Sequence, residues 1–103
     1  MSFTATDLLH CLNTSGSITR VYSGVRFNIS PSINYGVERI AIRAHINDET
    51  PVINRIYVTD TQLRHIAMHI ADCIDRLTQD CGDWPRILED IYVILRKQRQ
   101  EKP

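Results

Sequence analysis

At 103 residues, 43% hydrophobic and 23% charged, the chain reads as one globular domain rather than a disordered or fibrous one, long enough to bury roughly two-thirds of its extended surface. No apolar run approaches the ~20 residues that span a bilayer, and the opening MSFTATDLLHCL has no basic stretch of the kind that begins a secretory leader. Cys11, Cys73 and Cys81 are odd in number and lack disulfide-framework spacing, so a reduced, cytoplasmic protein is expected and the sequons at Asn13 and Asn28 are chance matches.

Net charge is zero but unevenly spread. Residues 1–59 carry five arginines against four acids, 60–90 carry seven acids against three arginines, and the tail from 91 holds Arg96, Lys97, Arg99 and Lys102 against Glu101. Ten of the twelve cationic residues are arginine, which favours planar, bidentate pairing at surfaces.

Thr4 or Thr6 can cap a first helix running to about Asn13, with Leu8, Leu9 and Leu12 as its apolar side, before NTSGS breaks it. Three segments of strand character follow. The first spans Ile18 to Ile29 with a bulge or bend at Ser23-Gly24, and SPSINYG after it reads as a loop. The second runs Val37 to Ile46, and NDETP turns the chain into the third, Val52 to Val58.

Alternation assigns each strand two faces. Val25, Phe27 and Ile29, then Ile40, Ile42, Ala44 and Ile46, then Val52, Ile56 and Val58 are assigned to the core. Opposite them lie Arg26 and Asn28, then Arg39, Ala41, Arg43 and His45, then Ile53, Arg55 and Tyr57. An antiparallel sheet packed on one side and wet on the other has this pattern.

VTDTQLRHIAMHIADCIDRLTQDCG reads as a helix, capped by Thr59, Asp60 or Thr61 and ended by Gly82 in a left-handed conformation. Leu63, Ile66, Ile70, Ile74 and Leu77 form its stripe. Asp83 caps a last helix with Pro85 in its first turn and a stripe of Trp84, Ile87, Leu88, Ile91, Ile94 and Leu95. The short connection makes the two helices a hairpin able to cover one sheet face. The expected architecture is α+β: an N-terminal helix, a three-stranded antiparallel sheet and a two-helix hairpin on one face (α-β-β-β-α-α). It forms one domain over 1–103, with the basic tail 96–103 frayed.

The segment RHIAMHIADC is the nearest approach to a chemical motif. His65 and His69 stand four apart, as a metal-binding pair would. On a helical wheel, however, both fall on the side away from the stripe, with Cys73 at its boundary and Arg76 beside them. A closed zinc site needs four ligands, and the zincin pattern needs a glutamate where Ile66 stands. We therefore expect no metal, no cofactor and a solvated helix flank. The four glycines are scattered singly rather than gathered in a phosphate-cradling loop, and His10 and Cys11 diverge by ~100° on a helix. No catalytic residues are expected.

Arg26, Arg39, Arg43, His45, Arg55 and Tyr57 are the candidate partner-binding residues, a cationic wet face suited to phosphates or acidic side chains. Arginine stems also cover exposed strands without any partner. The order α-β-β-β-α over residues 4–78 is similar to that of double-stranded-RNA-binding domains. Those domains use a lysine-rich start to their second helix, where this chain has TDTQLRHIA, so the likeness ends at the order of elements. Zero net charge and an acidic helical half weigh against nucleic acid.

The expected function is thus non-enzymatic: a small binding or inhibitor protein acting by protein–protein contact, without membrane attachment. By analogy of size it would be an accessory protein of a phage or other mobile element, blocking a defence or regulating a host. The alternative is a nucleic-acid-binding regulator using the arginine face. A homo-oligomer is compatible with either.

Overall fold

The computed structural model describes residues 3–47 and 50–100. Its elements, in order, are α1 (Ala5–Ser15), β1 (Ile18–Tyr22), β2 (Val25–Asn34), β3 (Val37–His45), β4 (Ile53–Val58), α2 (Leu63–Thr78) and α3 (Trp84–Gln100). The α+β class agrees with the sequence reading, but the sheet has four antiparallel strands in the order β1-β2-β3-β4 rather than three. The likeness in element order to double-stranded-RNA-binding domains ends with that fourth strand. Among the described residues, no helix is long and apolar enough to cross a membrane.

The extra strand arises at Ser23-Gly24. Both residues have positive φ (52° and 79°), the requirement of a two-residue type I′ hairpin, so the chain reverses there instead of bulging. Tyr22 pairs with Val25 across the turn and Ile18 with Ile29 at the far end. SPSINYG is likewise no loop. Its first five residues continue β2, and a second tight turn at Tyr35-Gly36 (φ 53° and 75°) returns the chain as β3. Proline is tolerated at Pro31 because β1 stops at the level of Ile29, leaving one side of β2 without a neighbour there. Asp48 and Glu49 of the expected NDETP turn, and residues 101–103 of the basic tail, lie outside the described residues.

Thr4 caps α1 through a reciprocal pair: its hydroxyl accepts from the Asp7 N–H at 3.3 Å, and its own N–H donates to the Asp7 carboxylate at 2.6 Å. Gln62, not Thr59, Asp60 or Thr61, is the N-cap of α2, and it makes no side-chain cap bond. The C-terminus of α2 also differs from expectation. Gln79 takes the left-handed conformation (φ 63°) and donates to the Asp75 carbonyl at 3.0 Å, whereas Gly82 keeps an ordinary φ. Gly82 serves proximity instead: a Cβ there would lie 2.4 Å from the Ala71 carbonyl oxygen on α2. Asp83 caps α3 as expected, accepting from the Arg86 N–H at 3.4 Å. That helix runs through Gln100, with Arg96 bonded to Glu89 at 2.7 Å.

The helices cover one sheet face. Val25, Phe27 and Ile29 of β2 and Ile40, Ile42 and Ala44 of β3 are buried with Leu8, Leu9 and Leu12 of α1. Leu63, Ile66, Ile70 and Ile74 of α2 join them, as do Ile87, Ile91 and Leu95 of α3. Trp84, assigned to the stripe of α3, is 38% exposed, because the first residue of the helix overhangs the core that Ile87 and Ile91 fill. Cys73, placed at the boundary of α2, is buried.

Candidate functional site on the open sheet face

Among the described residues nothing covers the face away from the helices, and β2 and β3 deliver most of the expected cations to it. The register sets Arg26 opposite His45, Asn28 opposite Arg43 and Ser32 opposite Arg39. Directly opposed side chains have Cβ atoms ~5 Å apart, so Arg26, Arg43 and His45 form one cluster, with Arg39 two strand positions beyond Ala41. Ala41 is only 1% exposed although no helix lies above it. Neighbouring side chains must therefore close over it; its cross-strand neighbours are Ser30 and Ile56, and Arg39 and Arg43 flank it along the strand. Among the described residues, neither Arg39 nor Arg43 has a carboxylate within ion-pair distance, and no acid shares this face. The described ion pairs sit elsewhere, at Arg20–Asp90 (3.7 Å), Arg76–Asp72 (3.2 Å) and Arg96–Glu89 (2.7 Å).

Two candidate residues do not join the cluster. In β4, Arg55 pairs with Ile42 and Tyr57 with Ile40, so both turn toward the helices. The expected core residues Ile56 and Val58 take their place on the open face, 48% and 41% exposed, and Val52 and Ile46 are also half-exposed. The strand's alternation is ambiguous, since INRIYV has apolar residues at both parities. A one-residue choice inverts the strand. Burying Tyr57, a side chain of ~150–250 Å², with Ile53 packed beside the core, outweighs burying Ile56 and Val58 on an edge strand.

On the helix side Tyr57 meets α2. Its ring stacks on His69 (centroids 5.5 Å, 27°) and its hydroxyl lies 3.2 Å from His69 Nδ1. His69 thus meets β4 through this contact although, like His65, it is exposed. Burial raises both the Tyr57 hydroxyl and the Cys73 thiol above their ordinary values, with nearby Arg55 opposing the rise. A Cys73 thiol held protonated is a poor nucleophile. The cavity bounded by Arg55, Tyr57, His69 and Cys73 holds about 10 Å³, room for a water but no substrate. Among the described residues, no three His, Cys, Asp or Glu side chains gather as a metal would require.

Sequence reasoning missed the apolar border of the open face. Val21 (62% exposed) on β1, Val37 (49%) on β3 and Ile56 and Val58 on β4 surround the arginines. Beyond them the β2–β3 hairpin projects past both neighbours and ends at Tyr35, which is 95% exposed. Reading Ser23-Gly24 and Tyr35-Gly36 as two-residue turns was the signal available for this layout. Comparison with protein-family models, with curated proteins and with solved structures finds no match to this chain.

Proposed function

We propose that the chain is a non-enzymatic binding protein that docks its open sheet face on an acidic protein surface. One observation carries this reading. Arg39 and Arg43 stand on the central strand β3 without an ion-pair partner among the described residues, inside a border of exposed valine and isoleucine. Each of these guanidinium groups can form bidentate bonds to an opposing carboxylate. The apolar border supplies area that excludes water around them. A protein partner is favoured over nucleic acid because Tyr57, the one aromatic expected on this face to stack on bases, turns to the helix side.

The test compares wild type with Arg39→Glu/Arg43→Glu, immobilised and exposed to lysate of the native host. The proposal expects a protein retained by wild type and lost by the double reversal, with circular dichroism unchanged. Retention of nucleic acid with a log–log salt slope steeper than about −4 would favour the nucleic-acid regulator instead. Equal retention of protein by both baits would remove the open face from consideration.

A further inference from the structure

The two edges of the sheet are finished differently. At β1, Arg20 pairs with Asp90 of α3 at 3.7 Å and the Tyr22 hydroxyl donates to the same carboxylate, so α3 runs beside that edge and places charges along it. Lys97 lies in the same surface hollow as Arg20 and Asp90. Among the described residues, the β4 edge has no such guard. INRIYV contains no proline, lysine or glycine, and its only charge, Arg55, is turned to the helix side. Outside the ladder with β3, no described residue hydrogen-bonds the backbone of residues 53–57; the nearest such bonds are Val52 N–H to the Ala44 carbonyl and Thr61 N–H to the Val58 carbonyl. A row of unpaired N–H and C=O groups flanked by exposed β-branched side chains is a template for another strand.

We infer that this strand is β4 of a second copy of the chain, paired antiparallel about a two-fold axis through Ile56 to give a continuous eight-stranded sheet. The strand is complementary to itself in that register. Ile56 meets Ile56 of the second copy on the open face, Arg55 falls opposite Tyr57 and Asn54 opposite Val58. An axis through Arg55 would instead oppose two guanidinium groups. Edge pairing also suits the charge distribution. Stacking open face on open face would press the arginines together, whereas edge pairing leaves three inter-strand steps, about 14 Å, between the two copies' β3 strands. That distance exceeds the screening length of about 8 Å at physiological salt. In that register five residues of β4, 54–58, form the ladder, which buries an area at or below the low end of specific interfaces, roughly 1,200 Å² in total, so the dimer is weak and reversible. The inference does not rest on the acidic-partner reading. If both hold, dimerisation sets two arginine clusters side by side and raises avidity for a repeated acidic surface.

Sedimentation velocity on the full chain tests the inference, over protein concentrations from about 1 µM to about 1 mM, the range of such small interfaces. Wild type should rise from the 11.9 kDa chain mass toward twice that value. Ile56→Lys and Ile56→Glu should each stay monomeric, because like charges then meet at the axis, and an equimolar mixture of the two should recover the dimer. Val93→Lys, on the exposed side of α3, should behave as wild type. A wild type that stays monomeric at the highest concentration, variants that dimerise as well as wild type, or a mixture that remains monomeric would each overturn the inference. Circular dichroism confirms folding of each variant, and a poorly folded Ile56→Glu leaves the wild-type and Ile56→Lys measurements decisive.

Discussion

Replacing Gly82 by alanine separates two roles for one glycine. Gly82 does not need the left-handed region, so the backbone alone would welcome alanine: losing unfolded-state entropy stabilises by roughly 0.4–1 kcal/mol at such positions. The surroundings oppose it. The added Cβ would sit 2.4 Å from the Ala71 carbonyl oxygen, 2.6 Å from its Cα and 2.8 Å from its carbonyl carbon, all backbone atoms in the middle of α2. They cannot rotate away as a side-chain tip can, so the link carrying α3 has to move. Overpacking of this kind costs typically 1–3 kcal/mol, leaving a net loss of about 1–2 kcal/mol after the entropy gain. For a domain of this size that lowers Tm by roughly 4–15 °C. Gln79→Gly is the counterpart, since Gln79 holds the left-handed conformation at φ 63°; glycine there should stabilise by up to about 1 kcal/mol. Urea and thermal unfolding followed by circular dichroism measure both. A Gly82→Ala protein as stable as wild type would refute the crowding against Ala71, and a destabilised Gln79→Gly would refute the left-handed end of α2 at Gln79.

Further outcomes follow from burial and protonation. Ile70, 2% exposed, should cost about 2–5 kcal/mol on truncation to alanine, whereas Trp84→Ala, at 38% exposure, should fall well short of the 3–5 kcal/mol of a buried tryptophan; equal losses in urea titrations would contradict the placement of Trp84. Burial first, and then the bond to Asp90, raise the Tyr22 hydroxyl well above its ordinary 10.0, and burial raises Tyr57 as well. Above pH 10 the unfolded chain therefore releases protons that the folded chain retains, so stability present below pH 10 should fall as pH rises toward the folded values. Tyr22→Phe should flatten that alkaline loss, and an unchanged pH profile of the unfolding midpoint would refute the assignment. Arg39→Glu/Arg43→Glu should alter stability by no more than about 1 kcal/mol, about 0.5 kcal/mol for each partly exposed site.

The sequence was most legible where one periodicity dominated. The stripe from Leu63 to Ile74 and the Val25-Phe27-Ile29 and Ile40-Ile42-Ala44 alternations all point to the core they occupy. It was least legible where two signals were nearly equal. INRIYV could face either way, and only Tyr57 settling on His69 decides it, a contact between residues twelve apart. Ser23-Gly24 suits both a bulge and a type I′ turn, and choosing the bulge merged two strands into one. The candidate site inherited both effects. Arg26, Arg39, Arg43 and His45 lie on the expected face because β2 and β3 are unambiguous, while Arg55 and Tyr57 turned with β4.

The central claim, that the arginines of β2 and β3 and not those of β4 or the helices meet the partner, is most directly tested by the side-chain Nε–H signals of arginine in an NMR titration with the retained protein. Arg39 and Arg43 should shift, with Arg26 beside them, while Arg55, Arg64 and Arg76 stay in place, because the first three share the open face and the others do not. Shifts confined to Arg55, Arg64 and Arg76, with Arg39 and Arg43 unmoved, would contradict it and transfer the binding surface to the helix side.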